Sequence, residues 1–159
     1  MNKPALIKAI IAQLSSELEL FAKAARAAHA EATHESSKAE NKYDTRGLEA
    51  SYLARGQSKQ AAETAQAIQE FESLAVHEFA AGEAIDVGAL LELKSKGESA
   101  FYFIGPRAGG TEVMHEKTEV LVITPQSPLG QQLVGRQRGD KVNLQIGGAN
   151  NEFQVASVA

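Results

Sequence analysis

The sequence predicts an α+β protein in two parts: an N-terminal antiparallel α-helical coiled-coil hairpin, then a small antiparallel β domain with one short helix. Three observations carry this. Residues 1–78 hold one proline and two glycines, whereas residues 79–159 hold three prolines and eleven glycines. Apolar residues in the first part recur at alternating steps of four and three, the helical seam spacing. In the second part they come in short runs closed by turn residues, the grammar of strands. The break falls at Phe79-Ala80-Ala81-Gly82, which gives an arm over residues 1–79 and a β domain over residues 80–159.

The first helix has the seam Ile7, Ile11, Leu14, Leu18, Phe21, Ala25, Ala28 and Ala32. Its large residues come first and thin to alanine, so a partner helix can approach closely at the far end. Pro4 suits a first helical turn, where its missing N–H costs nothing. A helix from Pro4 to about Asn41 would run roughly 55 Å at 1.5 Å per residue, and it cannot bury its stripe alone. The partner follows from about Leu48 to Phe79, with the weaker stripe Ala54, Ala61, Ala65, Ile68, Phe71 and Ala75. Gly47 supplies a break where the chain can reverse, so the tip falls within residues 36–47. Gly56 weakens the second helix by ~1 kcal/mol relative to Ala. Two helices packed on a globular core, or a homodimeric coiled coil, stay open as alternatives.

In the second part, residues 85–93 form a strand candidate broken by Gly88, and residues 94–98 a charged turn. Strands are expected at 99–104, ending on Gly105-Pro106, and at 111–114. Residues 119–124, with Val120, Leu121, Val122 and Ile123, read as a central strand. A short helix is expected over 127–134, with Ser127 as N-cap and Pro128 in its first position. Residues 141–146 and 152–158 then flank a Gly/Asn loop as a hairpin.

The chain has 159 residues, 43% hydrophobic and 23% charged, which is ordinary for a soluble globular protein. With no cysteine, disulfides, thiolate zinc sites and thiol nucleophiles are excluded. No apolar run approaches the ~20 residues that span a bilayer, and the start reads as a polar-striped helix rather than a signal peptide. A cytoplasmic protein without membrane attachment is expected. Net charge is -4, with both parts acidic, so autonomous duplex DNA binding is not expected.

Catalytic grammar is thin: there is no Gly-x-Ser-x-Gly, no His-Glu-x-x-His and no phosphate loop. His29 and His34 lie five apart on one helix and point about 140° apart, so they cannot share a metal. The four histidines are read as non-catalytic, and the chain as not an enzyme. Charge gathers instead around the hairpin tip, where Glu31, Glu35, Glu40, Asp44 and Glu49 alternate with Lys38, Lys42 and Arg46. This is either a solvated turn with local ion pairs, or a pair of carboxylates carried into another protein's site, where they could share a divalent cation. Tyr43 and Tyr52 bracket the tip and either pack on the alanine seam or contact a partner.

Residues 122–142 resemble the signature of the GreA/GreB transcription elongation factors. The specific part is Ser127-Pro128-Leu129-Gly130, then Leu133-Val134-Gly135, then Gly139-Asp140-Lys141-Val142. Upstream, Val87-Gly88 with residues 90–93, and Tyr102-Phe103-Ile104-Gly105-Pro106, resemble earlier strands of the same domain. The resemblance implies an FKBP-like globular domain that docks on RNA polymerase through Ser127, Pro128, Leu129 and Gly130, and a coiled coil that enters the secondary channel, with Tyr52 at its contact surface. It also implies two tip acids that hold Mg2+ in the polymerase's own active site, which then hydrolyses backtracked nascent RNA; the factor has no activity alone.

The tip departs from the usual Asp-x-x-Glu-Asn-Ala-Glu-Tyr pattern. Matched on Tyr52, Leu48 occupies the second acid's place. Asp44 and Glu49, five apart with Arg46 between them, are the nearest equivalents as catalytic and metal-binding residues. Cleavage stimulator and non-cleaving channel regulator therefore both stay open. A coiled-coil interaction module without a polymerase role is the alternative from another class. A prolyl isomerase is the weakest reading, because its aromatic-lined pocket sits poorly with 6% aromatic residues and no Trp.

Overall fold

The computed structural model describes residues 1–34, 45–146 and 148–159. Its element order is two long helices, α1 (Lys3–Thr33) and α2 (Arg46–Glu72), then strands β1 (Leu90–Ser95), β2 (Glu98–Ile104), β3 (Glu112–His115) and β4 (Thr118–Ile123). A short helix α3 (Pro128–Leu133) and the strands β5 (Lys141–Ile146) and β6 (Ala149–Val158) complete it. This is the α+β order that the sequence predicts. The chain divides into two compact units, Leu14–Ile68 and Met1–Gln13 with Gln69–Ala159.

In the helical unit, residues near the end of α1 and near the start of α2 line one groove, so the two helices lie antiparallel there. Every seam position of α1 is buried or half-buried. On α2 the buried line runs through Ala54, Thr64 and Ala67. Thr64 is tolerated there because its hydroxyl donates to the Gln60 carbonyl at 2.9 Å. Gly47 is not the break expected of it: it lies inside α2, and Thr45 starts the helix by accepting the Glu49 N–H at 2.8 Å.

In the second unit the sheet order is β3-β4-β2-β1-β6-β5. All neighbouring pairs are antiparallel except β2 and β4, which run parallel. The sheet is mostly antiparallel, as the sequence predicts, and its one parallel pair has a topological reason. The chain leaves β2, crosses to the edge as β3, and turns back as β4 between β3 and β2, so β4 must run in the direction of β2.

Three expected boundaries are also corrected. The second helix stops at Glu72 rather than Phe79, and Leu74 closes it with a tighter bond to the Phe71 carbonyl. The chain beyond is held by α1: the buried Lys3 ammonium donates to the His77 carbonyl and lies 5.0 Å from the centre of the Phe79 ring. Residues 85–89 are not strand. Ile85 exchanges hydrogen bonds with Gly135 and Arg136 instead, and Gly88 turns the chain at φ 93° before β1 begins. At the other end β6 starts early, at Ala149, which pairs with Ile146.

The core holds Leu91, Leu93, Ile104, Ile123, Leu133, Val142 and Val155, with Ile85 and Ala89 from the approach to β1. Each large side chain fully buried here contributes about 1.5–3 kcal/mol. The ring of Phe71 meets that of Phe103 at 6.2 Å, where the stub of α2 covers the sheet.

Candidate functional site

The signature segment folds as one turn–helix–turn, and most of its residues are fixed by local structure. Ser127 is the N-cap of α3: its hydroxyl accepts the Gly130 N–H at 3.0 Å and donates to the Thr124 carbonyl at 2.7 Å. Pro128 occupies the first helical position and faces solvent. Gly130 is buried against the chain that precedes it, where a Cβ would stand 1.8 Å from the Thr124 carbonyl oxygen. Leu129 packs half-buried on the core, and Leu133 is wholly inside it. Val134 closes α3 and Gly135 follows at φ 86°.

The Gly-Asp portion is equally local. Gly139, at φ 93°, donates its N–H to Val155 at 2.8 Å, and Asp140 accepts the Gln137 N–H at 2.9 Å before Val142 enters the core. Among the side chains this segment leaves facing solvent are Pro128, Gln131, Gln132, Arg136 and Arg138. The structure thus brings Ser127, Pro128, Leu129 and Gly130 together at the end of β4.

The tip residues lie in the other unit. Asp44 falls outside the described residues. Glu49 is exposed in the first turn of α2, and its carboxylate accepts the Thr45 hydroxyl at 3.0 Å. A carboxylate there is favoured by the positive end of the helix dipole. Leu48 and Tyr52 share one outward face of α2, at 55% and 60% exposure, and the Arg55 guanidinium lies 5.9 Å from the centre of the Tyr52 ring. Among the described residues no group of three His, Asp or Glu side chains is placed to hold a metal ion. Glu49 fits a magnesium ion only as a contributor of carboxylate oxygen to a set completed elsewhere.

Two surfaces were not singled out by the sequence. A groove between the helices is lined by Ala25, Ala30 and Ala54 with Arg26, His29 and Arg55, residues that converge only once the helix register is known. A depression of about 470 Å³ lies over β2, β4 and β3, lined by Tyr102, Leu121, Glu112 and Glu119 among others. Burial pushes the Tyr102 hydroxyl above its usual range. Strand alternation was the one available signal for that face.

Fold and site together define a two-part chain: a long helix pair with an acid at the start of its second helix, and a mixed sheet carrying a short capped helix. Among the described residues no helix is long and apolar enough to cross a membrane. No protein-family profile and no curated protein matches the chain. Among solved structures it is similar to GreA factor homolog 1 (Gfh1) of Thermus thermophilus, at 24% identity over 96% of each chain and a TM-score of 0.40. A second structure of the transcription factor Gfh1 shares 24% identity over 95% of this chain and 94% of that one, with a TM-score of 0.42. Gfh1 of Thermus aquaticus shares 25% over 94% and 90%, with a TM-score of 0.42.

Proposed function

We propose that this chain is a Gre-like transcription factor that binds RNA polymerase through the β unit and inserts its helix pair into the secondary channel. The observation that carries the reading is the joint presence of the Ser127–Gly130 capped turn on the sheet and an acid-bearing helix pair, in the order the Gre resemblance implies. The fully formed N-cap makes α3 a rigid presenter of Pro128, Gln131 and Gln132, which suits a docking contact.

On this reading the chain is a cofactor for the polymerase and not an enzyme itself. Asp44 and Glu49 would contribute carboxylate oxygens to a magnesium ion in the polymerase's active centre, and the chemistry that ion would supply is activation of water for hydrolysis of backtracked RNA. The work of this chain is to hold those oxygens in place and to exclude bulk water from the channel. The nascent RNA is met only inside the polymerase, and binding to free duplex DNA forms no part of the function.

A second reading is favoured by two specific observations: Leu48 stands where the family has its second acid, and the Glu49 carboxylate is engaged by Thr45. It makes the chain a channel-occupying regulator that binds without stimulating cleavage. A stalled, backtracked elongation complex with labelled RNA separates the two. Transcript shortening that an Asp44→Ala, Glu49→Ala variant loses supports the first reading; binding without shortening supports the second. A chain that does not bind the complex at all is an interaction module of another kind, and the polymerase reading fails.

A further inference from the structure

The sheet face over β2, β4 and β3 continues past the margin of the core in a pattern that the signature segment does not use. Register places Tyr102 beside Leu121 and Leu121 beside Glu112, so these three form one row across the strands. In the next row on the same face, Glu119 pairs with Met114. Residues directly opposite each other in a sheet share a face, so the face reads as a checkerboard. The apolar diagonal runs Tyr102–Leu121–Met114, with Glu119 on one side and Glu112 on the other.

Its exposure is unusual for a sheet face next to a core. Met114 is 66% exposed, and Tyr102 and Leu121 pack half-buried at the margin of the core rather than inside it. The depression lined by Tyr102, Leu121, Glu112 and Glu119 is of the order needed to seat side chains of a partner, at about 470 Å³, and Met114 lies in the row beside it. Ser99, Thr118 and Lys117 complete its rim. Neither Glu112 nor Glu119 is in an ion pair among the described residues.

We infer that this face docks a basic amphipathic helix of a partner protein. An apolar stripe at helix positions i, i+3, i+4 and i+7, laid along Tyr102–Leu121–Met114, turns the positions on either side of the stripe toward Glu112 and Glu119, where Lys or Arg meets a carboxylate on each flank. The two acids repel a nucleic-acid backbone, which sets a protein helix above RNA as occupant. Lys117 is the one opposing charge on the rim and weakens the fit. The inference is independent of the polymerase reading, since it needs only the face itself.

The test uses the full chain with a fluorescent synthetic helical peptide whose apolar stripe of Leu is flanked by Lys, and the same peptide with Glu in place of Lys. Anisotropy is expected to show saturable binding of the Lys peptide and none of the Glu peptide. Glu112→Lys with Glu119→Lys, both at exposed positions, should weaken the Lys peptide about tenfold or more, and Lys117→Glu should tighten it. Because the chain has no cysteine, Met114→Cys gives a single cross-linking position, and its cross-link should form with the Lys peptide only. Equal affinity of the double variant and the unaltered chain overturns the inference, as does binding that leaves Met114→Cys uncross-linked. Adding polymerase to the complex distinguishes two identities of the natural helix: displacement of the peptide assigns the face to the polymerase, and a ternary complex assigns it to another protein.

Discussion

Gly130 lies so close to Thr124 that a Cβ on the glycine would stand 1.8 Å from the threonine carbonyl oxygen. This contact, with Ser127 bridging both residues, explains why the start of α3 takes Ser at 127 and Gly at 130. The obstacle is backbone, so no side-chain rotation relieves it. Gly130→Ala is expected to lower stability by about 3 kcal/mol, as overpacking that forces the chain apart. Urea unfolding followed by circular dichroism checks this; an unchanged midpoint contradicts it.

Ser127→Ala removes the cap but not the packing. It should cost about 1 kcal/mol, with Ser127→Asp recovering most of it because a carboxylate also accepts the Gly130 N–H. Thermal melts of the two variants give the comparison.

Gly56 sits on the exposed side of α2, and a Cβ there meets nothing within 4 Å. Gly56→Ala should therefore raise stability by about 1 kcal/mol through helix propensity and a less disordered unfolded chain. Loss of stability would show that the helix is crowded at that point.

Two of the tight hairpins differ instructively. Lys96 and Gly97 turn β1 into β2 at φ 51° and 86°, whereas Glu116 and Lys117 turn β3 into β4 at φ 49° and 64° with no glycine. Left-handed backbone costs a residue with a Cβ roughly 1 kcal/mol. Lys117→Gly should gain about that much, read as a higher midpoint in denaturant.

Glu83 gives a pH dependence. The Ala80 N–H, at 2.8 Å, and then His77, at 2.5 Å, hold its carboxyl below the ordinary carboxylate range. A folded-state pKa below the unfolded one means that its stabilisation is present at neutral pH and is lost as pH falls through the carboxylate range. Glu83→Gln should flatten the acid limb of the stability–pH curve. Lys3 shares the direction of shift but contributes with the opposite sign at neutral pH: desolvation lowers its pKa despite Glu78 and Glu83. Its burial therefore opposes folding at neutral pH, and the penalty is relieved as pH rises towards the ordinary lysine range.

The sequence was most legible where one pattern served one partner. The seam from Ile7 to Ala32 is buried or half-buried throughout, because its spacing has a single helical reading. Leu6 and Ile10, fully buried, escaped that reading since they lie off the seam on a second face of α1. Ala75 followed the helical spacing of α2 but lies beyond its end at Glu72, in the stretch that Lys3 binds at His77. The parallel pairing of β2 with β4 was not legible, since the apolar run 120–123 is compatible with either direction.

For the site, the cap at Ser127 and Pro128 was readable because capping chemistry is local. The rows that bring Tyr102, Leu121 and Glu112 together were not, because register across three strands depends on tertiary pairing.

The central claim is that the helix pair reaches into RNA polymerase. Tyr52→Cys on this cysteine-free chain, coupled to an iron chelate that cuts nearby protein and RNA, tests it most directly. The account predicts cuts in the polymerase close to its active centre and in backtracked RNA near the 3′ end. Cuts confined to the outer surface of the polymerase, or none while the chain is bound, would contradict it.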